Sequence, residues 1–489
     1  MKPLRRAATS PRMTLHTHFI GGRAVASDAV LPVLNPSDGT EIGQIVRGTA
    51  REVDEACRAA DAALAGPWGR MPAAERGRLL LKLAALVQRD AERLAALESL
   101  DVGKPIRQAR QDAAACARYF EFYGGAADKV HGETIPSAEG ILAMTVWEPH
   151  GVTAHIIPWN YPMQILGRSL GGALAMGNAA VVKPAEEASL TTLAIAELAA
   201  EAGFPEGAVN VVTGLGEEAG AALTAHPLVA HISFTGSPEV GTLIQRAAAE
   251  RTIPVTLELG GKSPQIVFAD ADLDQVVPAV MGAIIQNAGQ TCSAGSRLLV
   301  QDAVHDRLLA ALADRFAALE AGPAERDLDL GPLVTLAQKR RVEGFLDIAR
   351  RDGLRHAASG RLASNAPEGG YYVRPVLLDD VDAAHTLAQE EIFGPVLVAT
   401  RFTDEEAALR LANGTAYGLV AGVWTRDLGR GVRLARHIRA GQVFVNNYGA
   451  GGGVELPFGG MKRSGHGREK GFAALHGFGA LKTIAIRHG

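Results

Sequence analysis

VTAHII (152–157), AAVVK (179–183), AVNVV (208–212), HISF (231–234) and PVTLEL (254–259) are five short apolar runs, and Ala-rich stretches of helical rhythm separate them. The spacing predicts helices over 165–176, 190–202, 217–224 and 238–249. Strand and helix alternating in this way build a parallel sheet with right-handed crossovers, so a mononucleotide-binding α/β architecture is the leading expectation. Upstream, residues 52–101 carry Leu79, Leu83, Leu86, Leu94 and Leu97 at three- and four-residue steps between charges, which reads as two or more amphipathic helices. Downstream, a second α/β region opens near Ser263 with PQIVF (264–268). A helix over 272–287, the strand RLLV (297–300) and helices over 304–319 and 335–350 follow, and alternation continues to Val443. TIPSAEGILAMTVWE (134–148) alternates polar and apolar residues about SAEG and reads as a hairpin. ALKTIAIRH (480–488) reads as one exposed strand that needs a partner, in the chain or in another subunit.

At 489 residues, with 47% hydrophobic and 21% charged side chains, the chain is large enough for several packed units. Its net charge of -4 supplies no basic field for nucleic acid or anionic lipid, so neither partner is expected. Apolar stretches break before the ~18–20 residues of a membrane span. Cys57, Cys116 and Cys292 are few, odd in number and without a CxxC, which suggests neither a disulfide framework nor a metal site and points to a reducing, cytoplasmic setting. The basic start MKPLRRAATSPR reads as an arm or an upstream start before Met13 rather than as a targeting segment.

Among residues able to carry chemistry, Cys292 in NAGQTCSAGSR stands out. Small and polar neighbours surround it, whereas Cys57 and Cys116 sit among apolar ones as core thiols do. Gly289 and Gly295 would let a ligand approach the sulfur and backbone N–H groups face an oxyanion. Glu258 in LELGGKSP (257–264) stands at the carboxyl end of a strand, where α/β folds place ligands, or is a plain strand-end charge. Asn160 in IIPWNYP (156–162) is a helix cap or an oxyanion donor. There is no GxGxxG, but GLGEEAG (214–220) and FTGS (234–237) both lead from a strand into a helix, a place for pyrophosphate. Lys183 and Glu186 in VVKPAEE suit ribose hydroxyls, or are ordinary surface charges. Glu186 would pair with a free 2′-hydroxyl and repel a 2′-phosphate.

IIPWNYP, VVKPAE, FTGS, LELGGKSP, GQTC, EEIFGP (390–395) and PFGGMKRSGHGRE (457–469), in this order and at these separations, resemble the aldehyde dehydrogenase superfamily from about Phe19 to the end. The resemblance implies a Rossmann-like NAD-binding domain from 1–132 and 149–258 and an α/β catalytic domain over 259–477. A small β oligomerisation arm from 133–148 and 478–489 completes a homodimer or homotetramer. It implies Cys292 as nucleophile, Glu258 as general base and Asn160 as oxyanion donor, with no metal. The cofactor, NAD with NADP as the second choice, would meet Lys183 and Glu186 at the adenosine ribose and Gly236 and Ser237 at the pyrophosphate. Trp159 and Gly216 would take the adenosine side, Leu259, Glu391 and Phe393 the nicotinamide end, and Ile156, Pro158, Phe234 and Gly241 complete the set. An aldehyde would be oxidised to its acid through a hemithioacetal and a thioester on Cys292. Tyr161, Gln164 and Arg168 would face the substrate, with YGAGGG (448–453) at the mouth. Arg168 matches the arginine with which semialdehyde-oxidising relatives hold a carboxylate, but the second arginine of that pair is Gln286 here. Aromatic-aldehyde oxidising members also carry an arginine at the first position. A cofactor-independent cysteine hydrolase is the reading from another class: it would use Cys292, Glu258 and Asn160 but have no use for Lys183, Glu186 and the FTGS turn.

Overall fold

A computed structural model describes residues 14–449 and 453–488. The basic start and part of the YGAGGG loop lie outside the described residues. The five runs become the strands Val152–Ile157, Ala179–Pro184, Val209–Val211, Val229–Thr235 and Val255–Glu258, all parallel. In space the third, second, first, fourth and fifth lie side by side. The order reverses between Val152–Ile157 and Val229–Thr235, and a crevice opens at the carboxyl ends of strands at such a reversal. Their carboxyl ends lead into Trp159 and Asn160 on one side and Gly236 and Ser237 on the other.

Antiparallel strands close both edges of this sheet. His18–Ile20 and Arg23–Val25 extend one side, and Gly465–His466 pairs with Leu257 and Glu258 on the other. Residues 465–466 belong to the segment expected to form the catalytic domain, yet they complete the first sheet. A second, seven-stranded sheet runs Arg355–Ser359, Val376–Asp379, Val396–Phe402, Arg297–Gln301, Pro264–Val267, Val420–Trp424 and Gln442–Val445, parallel except for its first strand.

The helix Pro162–Met176 is apolar almost all round and buried along its length. Proline at its start matches a position whose N–H has no helical partner. Glycines let it approach Ile106–Ala126 closely: a Cβ on Gly171 would stand 2.8 Å from the Tyr123 ring. Two predicted helices differ from expectation. The stretch 217–224 begins as a π turn, Gly216–Gly220, before Ala221–Ala225. The helix over 272–287 stops at Ile285, because Asn287 and Ala288 take left-handed backbone at φ 48° and 52°.

The terminal strand Gly479–Arg487 finds its partner within the chain. It lies antiparallel to Ile141–Pro149, from Gly479 opposite Pro149 to Arg487 opposite Ile141, and Thr134–Ile135 adds the third strand. Phe478 fastens this arm to the core: it is 1% exposed, packs on the His155 and His231 rings, and its carbonyl accepts from Asn178 Nδ2 at 2.8 Å. Removing a buried phenylalanine ring costs about 3–5 kcal/mol. Phe478→Ala is therefore expected to lower unfolding stability by that order in a denaturant titration, and an unchanged midpoint would refute the anchoring role.

Candidate active site

Three residues in left-handed backbone, Asn287, Ala288 and Gly289, turn the chain abruptly before Cys292. Such conformations are uncommon in non-glycine residues and persist where the surroundings enforce them. Asn160 Nδ2 donates to the Gln290 carbonyl at 3.0 Å, and Asn287 Nδ2 donates to the Asn160 carbonyl at 2.9 Å. Gln290 Nε2 reaches the Asn287 carbonyl at 3.1 Å, while its Oε1 accepts from Val334 N–H. An amide nitrogen carries two hydrogens, so Asn160 keeps one N–H beyond the bond that orients it.

Cys292 is half-buried, and burial pushes its thiol up to about 11 while the Arg168 charge pulls it back. Glu258 is 2% exposed and neither carboxylate oxygen has a hydrogen-bond partner among the described residues. Burial first, and the neighbouring Glu469 second, hold it well above the usual carboxylate range, against the pull of Arg168. It is therefore a group that holds a proton and can exchange it.

Two cavities of about 460 Å³ each have Cys292 in their wall. One is lined by Pro158, Trp159, Asn160, Gly236, Ser237, Glu258, Glu391 and Phe393 among others. Its floor needs glycine: a Cβ on Gly236 would lie 2.4 Å from Phe234 Cζ, and one on Gly260 would lie 2.1 Å from Glu391 Oε2. Ser237 caps the helix Pro238–Arg251 by accepting from Val240 N–H. Glu391 accepts from Gly261 N–H at 2.9 Å, and burial raises its carboxyl to about 7. Phe393, at φ 61°, presents its ring edge-on to Trp159.

Ile156, Lys183, Gly216, Phe234, Gly241 and Leu259 do not line this cavity. Phe234 lies beneath Gly236, and Leu259 fills the space that a side chain at Gly241 would take. Lys183 pairs with Glu186 at 2.9 Å, and Glu186 lines a separate hollow of about 420 Å³ with Leu215. The helix Leu336–Arg351 borders both, through Leu336 and Ala337 on one and Gln338 and Arg341 on the other.

The second cavity at Cys292 holds Tyr161, Gln164 and Arg168. Tyr161 Oη bonds Thr291 Oγ1 at 2.8 Å, and Lys104 stacks on the Tyr161 ring at 4.1 Å. Arg168 is ion-paired with buried Glu469 and lies over the Phe458 ring. Tyr448, Gly449 and Gly453 of the YGAGGG loop line the same cavity. Glu469 and Lys470 were not singled out in the sequence, although Glu469 lies inside the quoted PFGGMKRSGHGRE string. Their signal is two unlike charges beside glycine, and only the fold shows which of them is paired.

The model of the aldehyde dehydrogenase family matches residues 24–484. The chain belongs to that family. Among solved structures, it is 61% identical to a protein assigned as an aldehyde dehydrogenase from Burkholderia cenocepacia, with a TM-score of 0.96 over 97% of this chain and 100% of that one. It is 39% identical to PnpE of Pseudomonas sp. WBC-3, which has been solved with nicotinamide adenine dinucleotide, at a TM-score of 0.94 over 97% and 98% of the two chains. The NADP/NAD-dependent aldehyde dehydrogenase PuuC of Escherichia coli is 43% identical over 477 residues, 96% of this chain and 95% of that relative.

A Cβ on Gly289 would lie 2.2 Å from the Gly394 carbonyl, at a backbone φ of 75°. Gly289→Ala must therefore displace the Cys292 loop, and a displacement near one ångström costs about a hundredfold in rate. Steady-state turnover measures it; turnover at the parental level would show that the loop is not held by this contact.

Proposed function

We propose that this family member oxidises an aldehyde to the carboxylic acid with NAD, through a thioester on Cys292. The observation that carries the reading is that Cys292 walls two cavities at once, a glycine-floored one shared with Glu258 and Asn160 and another lined by Tyr161 and Arg168. A side chain at Gly236 or Gly260 would collide with Phe234 or Glu391, so bare backbone faces the cavity there, which suits a cofactor brought close to backbone. Gly236, Ser237 and the start of Pro238–Arg251 would take the pyrophosphate, and Glu391 and Phe393 the nicotinamide end. Lys183 and Glu186 would take the adenosine ribose. When bound, NAD supplies the acceptor for the hydride released from the carbon on Cys292. A hydrolase without a cofactor would leave this cavity without a role.

Cys292 Sγ attacks the carbonyl carbon after its proton leaves, with Glu258 as the nearby acceptor. The alkoxide oxygen takes the free Asn160 N–H and the Cys292 backbone N–H, donors fixed before the reaction by the Asn160–Gln290–Asn287 bonds. Glu258 then deprotonates water, which cleaves the thioester and frees the acid. The Lys183-paired carboxylate of Glu186 supports NAD, and the name of PuuC, an NADP/NAD-dependent enzyme, supports NADP as a second cofactor. The paired strands Ile141–Pro149 and Gly479–Arg487 support an arm that joins subunits into a dimer or tetramer. Residues 1–132 with 149–258 would form the cofactor-binding domain and 259–477 the catalytic one. A reactive free thiol supports a reducing, cytoplasmic setting.

Cys292→Ala is expected to abolish aldehyde-dependent NADH formation and to keep NAD binding, measured by titration calorimetry; turnover in that variant would overturn the nucleophile assignment. Glu258 works only when deprotonated, and its carboxyl lies well above the usual range. Turnover should therefore climb as pH rises through neutrality. Glu258→Gln should remove that limb and, where thioester hydrolysis is its main role, give a burst of NADH followed by a slow phase, whereas a uniformly slow trace would count against a purely deacylating role.

A further inference from the structure

Among the described residues, the cavity on the Tyr161 side of Cys292 has three cations in its lining, Arg118, Arg168 and Lys470, and no carboxylate. Two of the three are already neutralised. Arg168 is paired with Glu469, and Arg118 is paired with Glu455 at 2.6 Å and Glu121 at 3.2 Å. Lys470 differs: it is only 8% exposed, yet among the described residues its Nζ has neither a carboxylate nor a hydrogen-bond acceptor. Its immediate company is aromatic, with Nζ 5.1 Å from the Phe458 ring centre and 5.8 Å from that of Tyr119. Rings attract an ammonium but cannot discharge it, and an ammonium that faces a cavity without a carboxylate partner is open to an anion. The lysine is also held at φ 61°, outside the usual backbone range. Phe458 belongs to the small apolar cluster against which Cys292 packs, and Phe458, Lys470 and Cys292 all line this cavity.

We propose that Lys470 anchors an anionic group on the substrate, so that the preferred substrates are short aldehydes carrying a carboxylate at the end remote from the carbonyl. The proposal rests on aldehyde oxidation at Cys292 and names the substrate class of that site. It assigns to Lys470 the role that the position of Arg168 suggests from sequence, because the guanidinium of Arg168 is committed to Glu469. The carboxylate would settle against the Lys470 ammonium while the aldehyde carbon reaches Sγ.

The test compares succinic semialdehyde with butanal, which carries a methyl group in place of the terminal carboxylate, by NADH formation in the parent enzyme, Lys470→Met and Lys470→Arg. The parent should favour succinic semialdehyde in kcat/KM. Lys470→Met should lower the ratio of the two kcat/KM values at least about tenfold, through KM rather than kcat, and Lys470→Arg should recover most of it. In the unaltered protein, succinate should slow alkylation of Cys292 by iodoacetamide more than butyramide does, a readout that needs no variant to fold. A parent enzyme that prefers butanal, a ratio unmoved by Lys470→Met, or equal protection by succinate and butyramide would each overturn the anchor. NADH from neither aldehyde in the parent would instead overturn the oxidation reading and the anchor with it.

Discussion

The reciprocal hydrogen bonds between Asn160 and the 287–290 turn join the two halves of the chemistry. Asn160 follows a strand of the first sheet, and the turn precedes a strand of the second. Donor and acceptor pass both ways between them, so neither can shift without leaving a buried amide unpaired. Cys292, the Asn160 amide and the left-handed backbone that presents the thiol are thus one unit. Without that stitch, the sheets could pack well and still hold Cys292 in the wrong place.

Around this unit the charges are arranged by burial. Glu258 stands alone, Glu469 takes the Arg168 charge and a hydrogen bond from Ser233, and Ser233 is bonded in turn to Ser169. A carboxylate that is paired and hydrogen-bonded stays ionised in the interior, while one that is neither prefers its proton. The same few residues therefore engage one acid in an ion pair and leave another without a partner among the described residues.

Much of this was legible in the sequence because the decisive groups lie in short strings at strand ends. Cys292, Glu258 and Asn160 are each read from neighbours within a few positions, and the five apolar runs announce the first sheet. What escaped depends on distant packing. Helical rhythm runs through Gln286 and Asn287, but the turn toward Cys292 is imposed by contacts with Asn160 and Gly394, far away in the chain. Phe234 and Leu259 belong to the quoted motifs, yet they serve as filling beneath glycines and not as lining. Arg168 and Lys470 show the limit most clearly: composition and spacing cannot say which cation has been given a carboxylate.

The placement of Gly465–His466 and Gly479–Arg487 has a consequence for how the chain comes to be made. Both close edges opened long before in the sequence, at Leu257 and Glu258 and at Ile141–Pro149. A ribosome-bound chain that has already emitted Cys292, Glu258 and Asn160 still lacks the strand beside Glu258, the Glu469 that engages Arg168, and the Phe478 plug. Contacts so distant along the chain form late. The strand beside Glu258 and the carboxylate that engages Arg168 are therefore supplied only once the segment from Gly465 onward has joined the fold.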